Sequence, residues 1–445
     1  MGRPTGDWRA QLRRLPAIGP LLWYLRAAAL APYRLASLQR HLEVVTEQQG
    51  ALRSALEELG GEELEARRAL ELLRAEVSEL RSRADSLSAR LELQAQWSNL
   101  WLGQQDQLLA ELLAEAGRSK LLAGERPIFL HSIFRSGSTY LQFKFRGLTG
   151  FWSYHEPLHE QLQSIAVSQT RSVADALELA RMAESLHHPL TDKNYFHEYP
   201  LGSQGGVLAF PAAQRLELPE DAEDPGLLRY LQVLVGAACG RPVFKFTRSG
   251  LLQGWMRRRL GGVHVYLARN PREQFASFLQ QELRGDGHFL GMVALMVAHS
   301  PRLQALHPAL AGAVGCGPDQ PLPLSWQPLA EVIRLLPVPV AYQAFHALWA
   351  LSLLEALRHS DFLLSLDRLA ASSGYRLEAE EYFRGIGVPI DFSDIRLGRQ
   401  TTQLPPEREL ERLEDQTWQK LELEAAGPEL QRARELERAL LAALP

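Results

Sequence analysis

Three groups of residues in this 445-residue chain have types and spacings suited to chemistry on an anion. The first is the stretch IFLHSIFRSGSTYLQF, residues 128–143. A short apolar run stops at Arg135-Ser136-Gly137-Ser138-Thr139, and a helix-like pattern resumes with Tyr140. Strand, tight polar turn and helix is how α/β proteins gather backbone N–H groups around an anion. The usual nucleotide loop GxxxxGK[ST] is absent, and an Arg precedes the Gly where a Lys would follow it. Arg135 supplies a forked cation, and Ser138 and Thr139 supply hydroxyls, a set that suits phosphate or sulfate. The second group is VHVYLARNPREQFASFL, residues 263–279. Arg269 ends a strand, Asn270-Pro271 turns the chain, and Ser277 follows eight residues after Arg269 on the next helix, so that both can converge on one phosphate. The third is SYHEPLHEQL, in which Glu156 lies 21 positions after Arg135, between His155 and His159. Glu156 or either imidazole can take a proton. Lys245 and Arg248, in FKFTRS at the end of an inner strand, can reach the same anion or an acceptor, and suit a structural role equally well. An ordinary strand–helix turn with a surface Arg would look much like the first group, and the second also reads as a solvated strand end. Neither is decisive alone.

The elements that must hold these residues are short and β-rich. IFLHSIF (128–134), PVFKFT (242–247) and VHVYLAR (263–269) read as buried parallel strands, and FLLSLDRL (362–369) as a further one. Helical patterns cover 173–186 and 341–360. The texture from residue 126 to 403 is that of one α/β domain. Before it, from Leu38 to Leu112, apolar residues recur in alternating steps of four and three through Leu52, Leu70, Val77, Leu87, Leu108 and Leu112. So long a heptad stripe predicts a coiled coil over 37–118, with Gly60-Gly61 as a soft joint. A narrow stripe cannot bury itself, so the expected partner is a second copy, giving a homo-oligomer; packing back on the chain's own helices is the other possibility. AGRSKLLAGER (116–126) is the linker, and 404–445 is a charged helical extension broken at Gly427-Pro428.

Taken together, FRSGSTYL and YLARNPREQFASF resemble the family of sulfotransferases that use PAPS, 3′-phosphoadenosine 5′-phosphosulfate. They occur in the family's order, each at a strand–helix junction, and the likeness covers roughly residues 126–400. It implies a P-loop-type three-layer fold, a central parallel sheet flanked by helices, preceded here by the coiled-coil helix. It further implies that Arg135, Ser136, Gly137, Ser138, Thr139 and Tyr140 cradle the 5′-phosphosulfate, that Arg269 and Ser277 bind the 3′-phosphate, and that no metal is needed. Small-molecule members carry a catalytic His in the segment that here reads FKFTRS, which has none. Carbohydrate and tyrosyl-protein members more often have Arg in the first loop and a Glu some twenty residues on. The "EPLHE" stretch resembles the Glu-Pro segment of carbohydrate sulfotransferases. The implied base is therefore Glu156, with His155 next, and the implied acceptor is a hydroxyl on a carbohydrate or glycoconjugate.

Bulk properties narrow the setting. Net charge of −4 at pH 7 gives no global attraction to nucleic acid, so any anion site is local. Two cysteines make neither a disulfide framework nor a zinc cluster and point to the cytoplasm. The segment 1–36 mixes Arg9, Arg13, Arg14, Arg26 and Arg34 with apolar residues; it suits a membrane surface or packing on its own protein. With the coiled coil, it resembles segments that precede some bacterial glycosyltransferases, which implies work at the inner face of the membrane. In HHPLTDKNYFHEYPLG (187–202), aromatic residues suit an acceptor loop, and Arg396 and Arg399 suit a late basic loop over the nucleotide. Two competing classes are an ATP-dependent phosphotransferase, disfavoured by the missing Lys and Mg²⁺ carboxylates, and a coiled-coil scaffold with a degenerate α/β domain.

Overall fold

The computed structural model describes residues 43–44, 46–51, 53–54, 63–159, 162, 196–200, 216–283, 288–307, 310, 336–396, 404–424 and 427–442. The segment 1–36, the helix expected at 173–186, Arg399, and the 187–202 loop except residues 196–200 lie outside them. In chain order the elements are α1 (Glu63–Leu122), β1 (Ile128–His131), α2 (Ser138–Arg146), β2 (Phe151–His155), α3 (Pro225–Ala237) and β3 (Arg241–Lys245). Then follow α4 (Gln253–Leu260), β4 (Val263–Ala268), α5 (Pro271–Leu283), α6 (His288–His299), α7 (Pro301–Leu306) and α8 (Val338–His359). Last come β5 (Phe362–Ser365), α9 (Leu366–Ala371), α10 (Ser373–Gly385), α11 (Glu407–Glu424) and α12 (Pro428–Ala442).

The five strands form one parallel sheet in the order β2-β3-β1-β4-β5. Such strands are covered on both faces, and the pleat sends alternate side chains to opposite layers. Ile128, Leu130, Val243, Val263, Val265 and Leu267 point to the layer built by α2, α9 and α10, where Leu141, Phe145 and Phe383 pack. Phe129, Tyr154 and Phe244 point to the other layer, against Leu231 and Val235 of α3 and Trp255 and Met256 of α4. On that second face, Tyr266 and Ala268 join the packing of α6, α8, α11 and α12. The result is a three-layer α/β domain. The helix α8 is long and apolar enough to cross a membrane, but it is buried as a core helix. The C-terminal helices share this core through Leu413, Trp418, Leu430 and Leu440. Glu437 of α12 accepts hydrogen bonds from His346 (2.5 Å) and Trp418 (2.6 Å) deep inside it.

By internal contacts the chain divides after Gln104, so the first unit ends inside α1 and the second comprises residues 105–445. In the first unit Val77 of the heptad stripe is buried, between half-buried Leu73 and Leu80. In the second unit the end of α1 lies on α3. Ala110 and Ala114 cover Val233, and a Cβ on Gly117 or Gly236 would fall 1.9 Å or 2.0 Å from a backbone carbonyl of the facing helix. Only glycine permits that approach. Lys120 Nζ then donates to the carbonyls of Val235 (3.0 Å) and Ala238 (3.1 Å), satisfying the end of α3. The stripe residues Leu108 and Leu112 are 51% and 61% exposed, two positions away from the docked alanines and hence on the opposite side of the helix.

Candidate active site

The carboxyl ends of the strands carry the residues singled out above. β1 stops at His131, and Ser132 Oγ ties the turn to the Phe246 carbonyl at 2.7 Å. Arg135 then adopts φ 61°, in the left-handed region. Gly137 follows at φ 82° as the residue before α2, where a Cβ would come 2.1 Å from Leu366 Cδ1. No side chain caps α2, which leaves its positive end to other partners. Ser136 Oγ is fully buried in this turn and, among the described residues, has no hydrogen-bond partner. Tyr140 points elsewhere: its hydroxyl donates to Asp394 at 2.7 Å, on the carboxylate that Lys144 also binds.

Two motifs 134 residues apart meet here. Arg269, just past β4, donates from Nη1 to the Arg135 carbonyl at 2.9 Å. In return Arg135 Nε donates to Ser277 Oγ on α5 at 2.9 Å. Asn270 caps α5 by accepting from the N–H groups of Arg272 (3.0 Å) and Glu273 (3.2 Å). Gln274 reaches back to the Phe134 carbonyl, and Trp349 Nε1 donates to that of Arg269 at 3.2 Å. Arg269, Asn270, Gln274 and Ser277 are all buried.

The third group sits at the ends of β2 and β3. Glu156 follows β2 with φ 47° and is buried. Its N–H donates to the Lys245 carbonyl at 2.8 Å. Its carboxylate accepts from Lys245 Nζ, from the Thr247 N–H at 3.0 Å and from Arg248 Nη1 at 3.2 Å. Burial pushes this carboxyl up, but Lys245, then Arg248, and the bonds from Lys245 and Thr247 outweigh it and hold the group below the usual carboxylate range. Lys245 and Arg248 thus lie on Glu156, and the Arg248 guanidinium stacks 5.2 Å over the Phe134 ring, beside Arg135. The His155 ring is buried; desolvation, then Lys245 and Arg146, push its pKa well down, so it is neutral near pH 7. Tyr199 fixes its backbone by donating to the His155 carbonyl at 2.6 Å. Glu198 pairs with Arg146 at 2.5 Å in a buried contact, so Glu198 and Tyr199 brace β2 and α2. His159 and His155 both lie edge-on to Phe196, at 5.5 Å and 6.2 Å between ring centroids. Arg396 donates to the Ile395 carbonyl at 2.8 Å.

Two buried groups had no sequence signal strong enough to single them out. Asp367, two residues past β5, accepts from the Asn270 N–H at 2.6 Å. A short acidic side chain at a strand's carboxyl end was the available clue. Beneath the site His131 Nδ1 meets Ser249 Oγ at 2.7 Å, and its Nε2 meets His264 Nδ1 at 2.9 Å. His264 Nε2 reaches the Gly261 carbonyl at 2.8 Å, which fixes that nitrogen as the donor. Among the described residues, no group of three or more His, Cys, Asp or Glu could hold a metal ion.

No family model matches the chain, and no curated protein is matched in sequence. Among solved structures, the sulfotransferase STF9 from Mycobacterium avium is similar at 12% sequence identity with a TM-score of 0.30, over 67% of this chain and 69% of that one.

Proposed function

We propose that this chain is a sulfotransferase that moves the sulfuryl group of PAPS to an acceptor hydroxyl, on a carbohydrate or glycoconjugate. The observation that carries the proposal is the reciprocal pair of 2.9 Å hydrogen bonds, Arg269 to the Arg135 carbonyl and Arg135 to Ser277. They join a strand–turn–helix anion loop to a strand-end Arg and helix Ser. That combination suits a ligand with two phosphates, and it matches the motif pair read from sequence.

The residues present fit the donor. Ser136 Oγ is a buried polar atom in need of a partner, Gly137 gives the close backbone approach a phosphosulfate requires, and α2 has an uncapped positive end. Ser136, Gly137, Ser138 and Thr139 would hold the 5′ end, and Arg269 and Ser277 the 3′-phosphate. When bound, PAPS supplies the sulfuryl group and takes the leaving charge as 3′,5′-ADP. Arg135 and Arg248 contribute fixed positive charge there, and such preorganised donors are typically worth a hundredfold or more in rate. Glu156 takes the acceptor proton. Its depressed pKa keeps it ionised and ready. The same shift makes it a weaker base, so the assignment rests on its place at the strand ends beside the anion loop rather than on basicity. The heptad stripe is assigned to homo-oligomer formation and segment 1–36 to the cytoplasmic face of a membrane.

Calorimetry on the whole protein tests the central claim. Tight binding of 3′,5′-ADP without metal is expected; preference for ATP with Mg²⁺ would replace the sulfotransferase with a phosphotransferase.

A further inference from the structure

The guanidinium of Arg269 is held from two sides. Nη1 is occupied by the Arg135 carbonyl at 2.9 Å. Nε faces Oδ1 of Asp367 at 3.7 Å, an ion-pair separation longer than a hydrogen bond, and both of these atoms are fully buried with no hydrogen-bond partner among the described residues. Asp367 itself is fully buried, and its Oδ2 accepts from the backbone N–H of Asn270, the next residue after Arg269. One carboxylate therefore grips the turn at Asn270 and faces the side chain of Arg269. Burying a carboxylate costs several kcal/mol unless its oxygens are used, so a side chain serving only as a turn acceptor would be better as Asn or Ser. The second oxygen is explained by the cation opposite it. With one N–H of Nη1 on the Arg135 carbonyl and Nε turned toward the Asp367 carboxylate, the edge that carries Nη2 is left to meet a ligand, and the two protein partners orient the guanidinium plane.

We infer that Asp367 is a positioning residue for Arg269: it aims the guanidinium so that its remaining edge reads the 3′-phosphate of the nucleotide. This rests on the function proposed above and deepens it, since it places the discrimination between 3′-phosphorylated and plain adenine nucleotides on a pair that follows the carboxyl ends of β4 and β5. The carboxylate acts through Arg269 and touches no nucleotide itself.

The test compares 3′,5′-ADP with 5′-AMP, which differ by the 3′-phosphate alone. Calorimetry is run on the full chain, wild type and Asp367→Asn, the latter keeping an acceptor for the Asn270 N–H while removing the charge. Expected is a loss of about tenfold in 3′,5′-ADP affinity with 5′-AMP affinity within twofold of wild type. On an Arg269→Gln background, Asp367→Asn should cost nothing further, because the cation it positions is gone. Equal losses for both nucleotides would reduce Asp367 to a structural role and overturn the inference. So would an additive loss in the double variant, or tighter 3′,5′-ADP binding. If Asp367→Asn does not fold, Asp367→Ser carries the same comparison. The wild-type protein separates the two levels of failure. No preference for 3′,5′-ADP over 5′-AMP there overturns the sulfotransferase and this inference together, whereas a wild-type preference that Asp367→Asn leaves intact overturns the inference alone.

Discussion

Replacing Glu156 by Gln separates a chemical role for this carboxylate from its role as a clamp. In the wild-type chain it answers two buried cations, Lys245 and Arg248, and one backbone N–H. Gln keeps the size and one carbonyl oxygen, but it takes the carboxylate charge away from Lys245 and Arg248 and turns an NH₂ toward donors. Removing one partner of a buried ion pair costs about 3–5 kcal/mol. For a domain of this size that lowers the thermal midpoint by roughly 4–8 °C. The left-handed backbone at φ 47° is as costly for Gln as for Glu, so it does not enter the difference. Three measurements follow: a thermal melt, 3′,5′-ADP affinity by calorimetry, and the transfer rate. The expected result is a lower midpoint, 3′,5′-ADP affinity within about threefold, and a rate down by at least about a hundredfold. Adding Lys245→Met to the same chain removes one unanswered cation, so much of the lost stability returns while transfer does not. A Glu156→Gln variant that melts early but still transfers within about tenfold of wild type would refute the assignment. The carboxylate would then be a clamp, and His155 the next candidate for the base.

Two further predictions concern the frame. His264 is held down to about 4 by burial, only partly offset by its bond to the Gly261 carbonyl, against about 6.5 in the unfolded chain. The unfolded state therefore binds more protons below pH 6.5. Stability from this group is complete above that pH, falls by about 3 kcal/mol in all as pH drops, and levels off below about 4. His131, pushed well down by burial and then by His264, adds in the same direction. Denaturant unfolding at pH 7.5 and 5 reads the slope, His264→Phe should reduce it, and a flat profile would contradict it. Gly137→Ala puts a Cβ 2.1 Å from Leu366 Cδ1 at φ 82°, so it should cost at least about 2 kcal/mol and weaken 3′,5′-ADP binding at least tenfold. Unchanged binding would mean that the loop holds no anion.

Sequence carried the strands whose patterns are unambiguous. IFLH, PVFK, VHVYLA and FLLS are short apolar runs bounded by turns, and each is a strand of the parallel sheet. β2 carries no clear strand pattern of its own, because FWSYH at a sheet edge mixes aromatic and polar residues and runs directly into the Glu156-Pro157 segment. Its presence depends on pairing with β3, a contact between residues some ninety positions apart. The same limit applies to the site. Arg135, Glu156, Arg269 and Ser277 stand out through local spacing, but nothing local says that Lys245 and Arg248 lie on Glu156 or that Asp367 faces Arg269. Those pairs exist only because parallel strands bring their carboxyl ends to one edge. Heptad periodicity, a local property, predicted a long helix but could not tell that its last turns would dock on α3 through Ala110, Ala114 and Gly117.

The backbone gives the case for function an independent footing. Among the described residues, the non-glycine residues with positive φ are Arg135 and Glu156. Each costs about 1–2 kcal/mol that glycine would not. Selection for stability alone would place glycine at both, as it does at Gly137 between Ser136 and Ser138. The strain persists because each residue is held from outside. The Arg135 carbonyl is bound by Arg269 and its side chain by Ser277, while the Glu156 N–H is bound to the Lys245 carbonyl and its carboxylate to Lys245 and Arg248. Two strained positions bearing a cation and a carboxylate, at the carboxyl ends of neighbouring parts of one parallel sheet, are where open α/β folds bind ligands. The chemistry proposed above would require those two side chains and so would account for the strain.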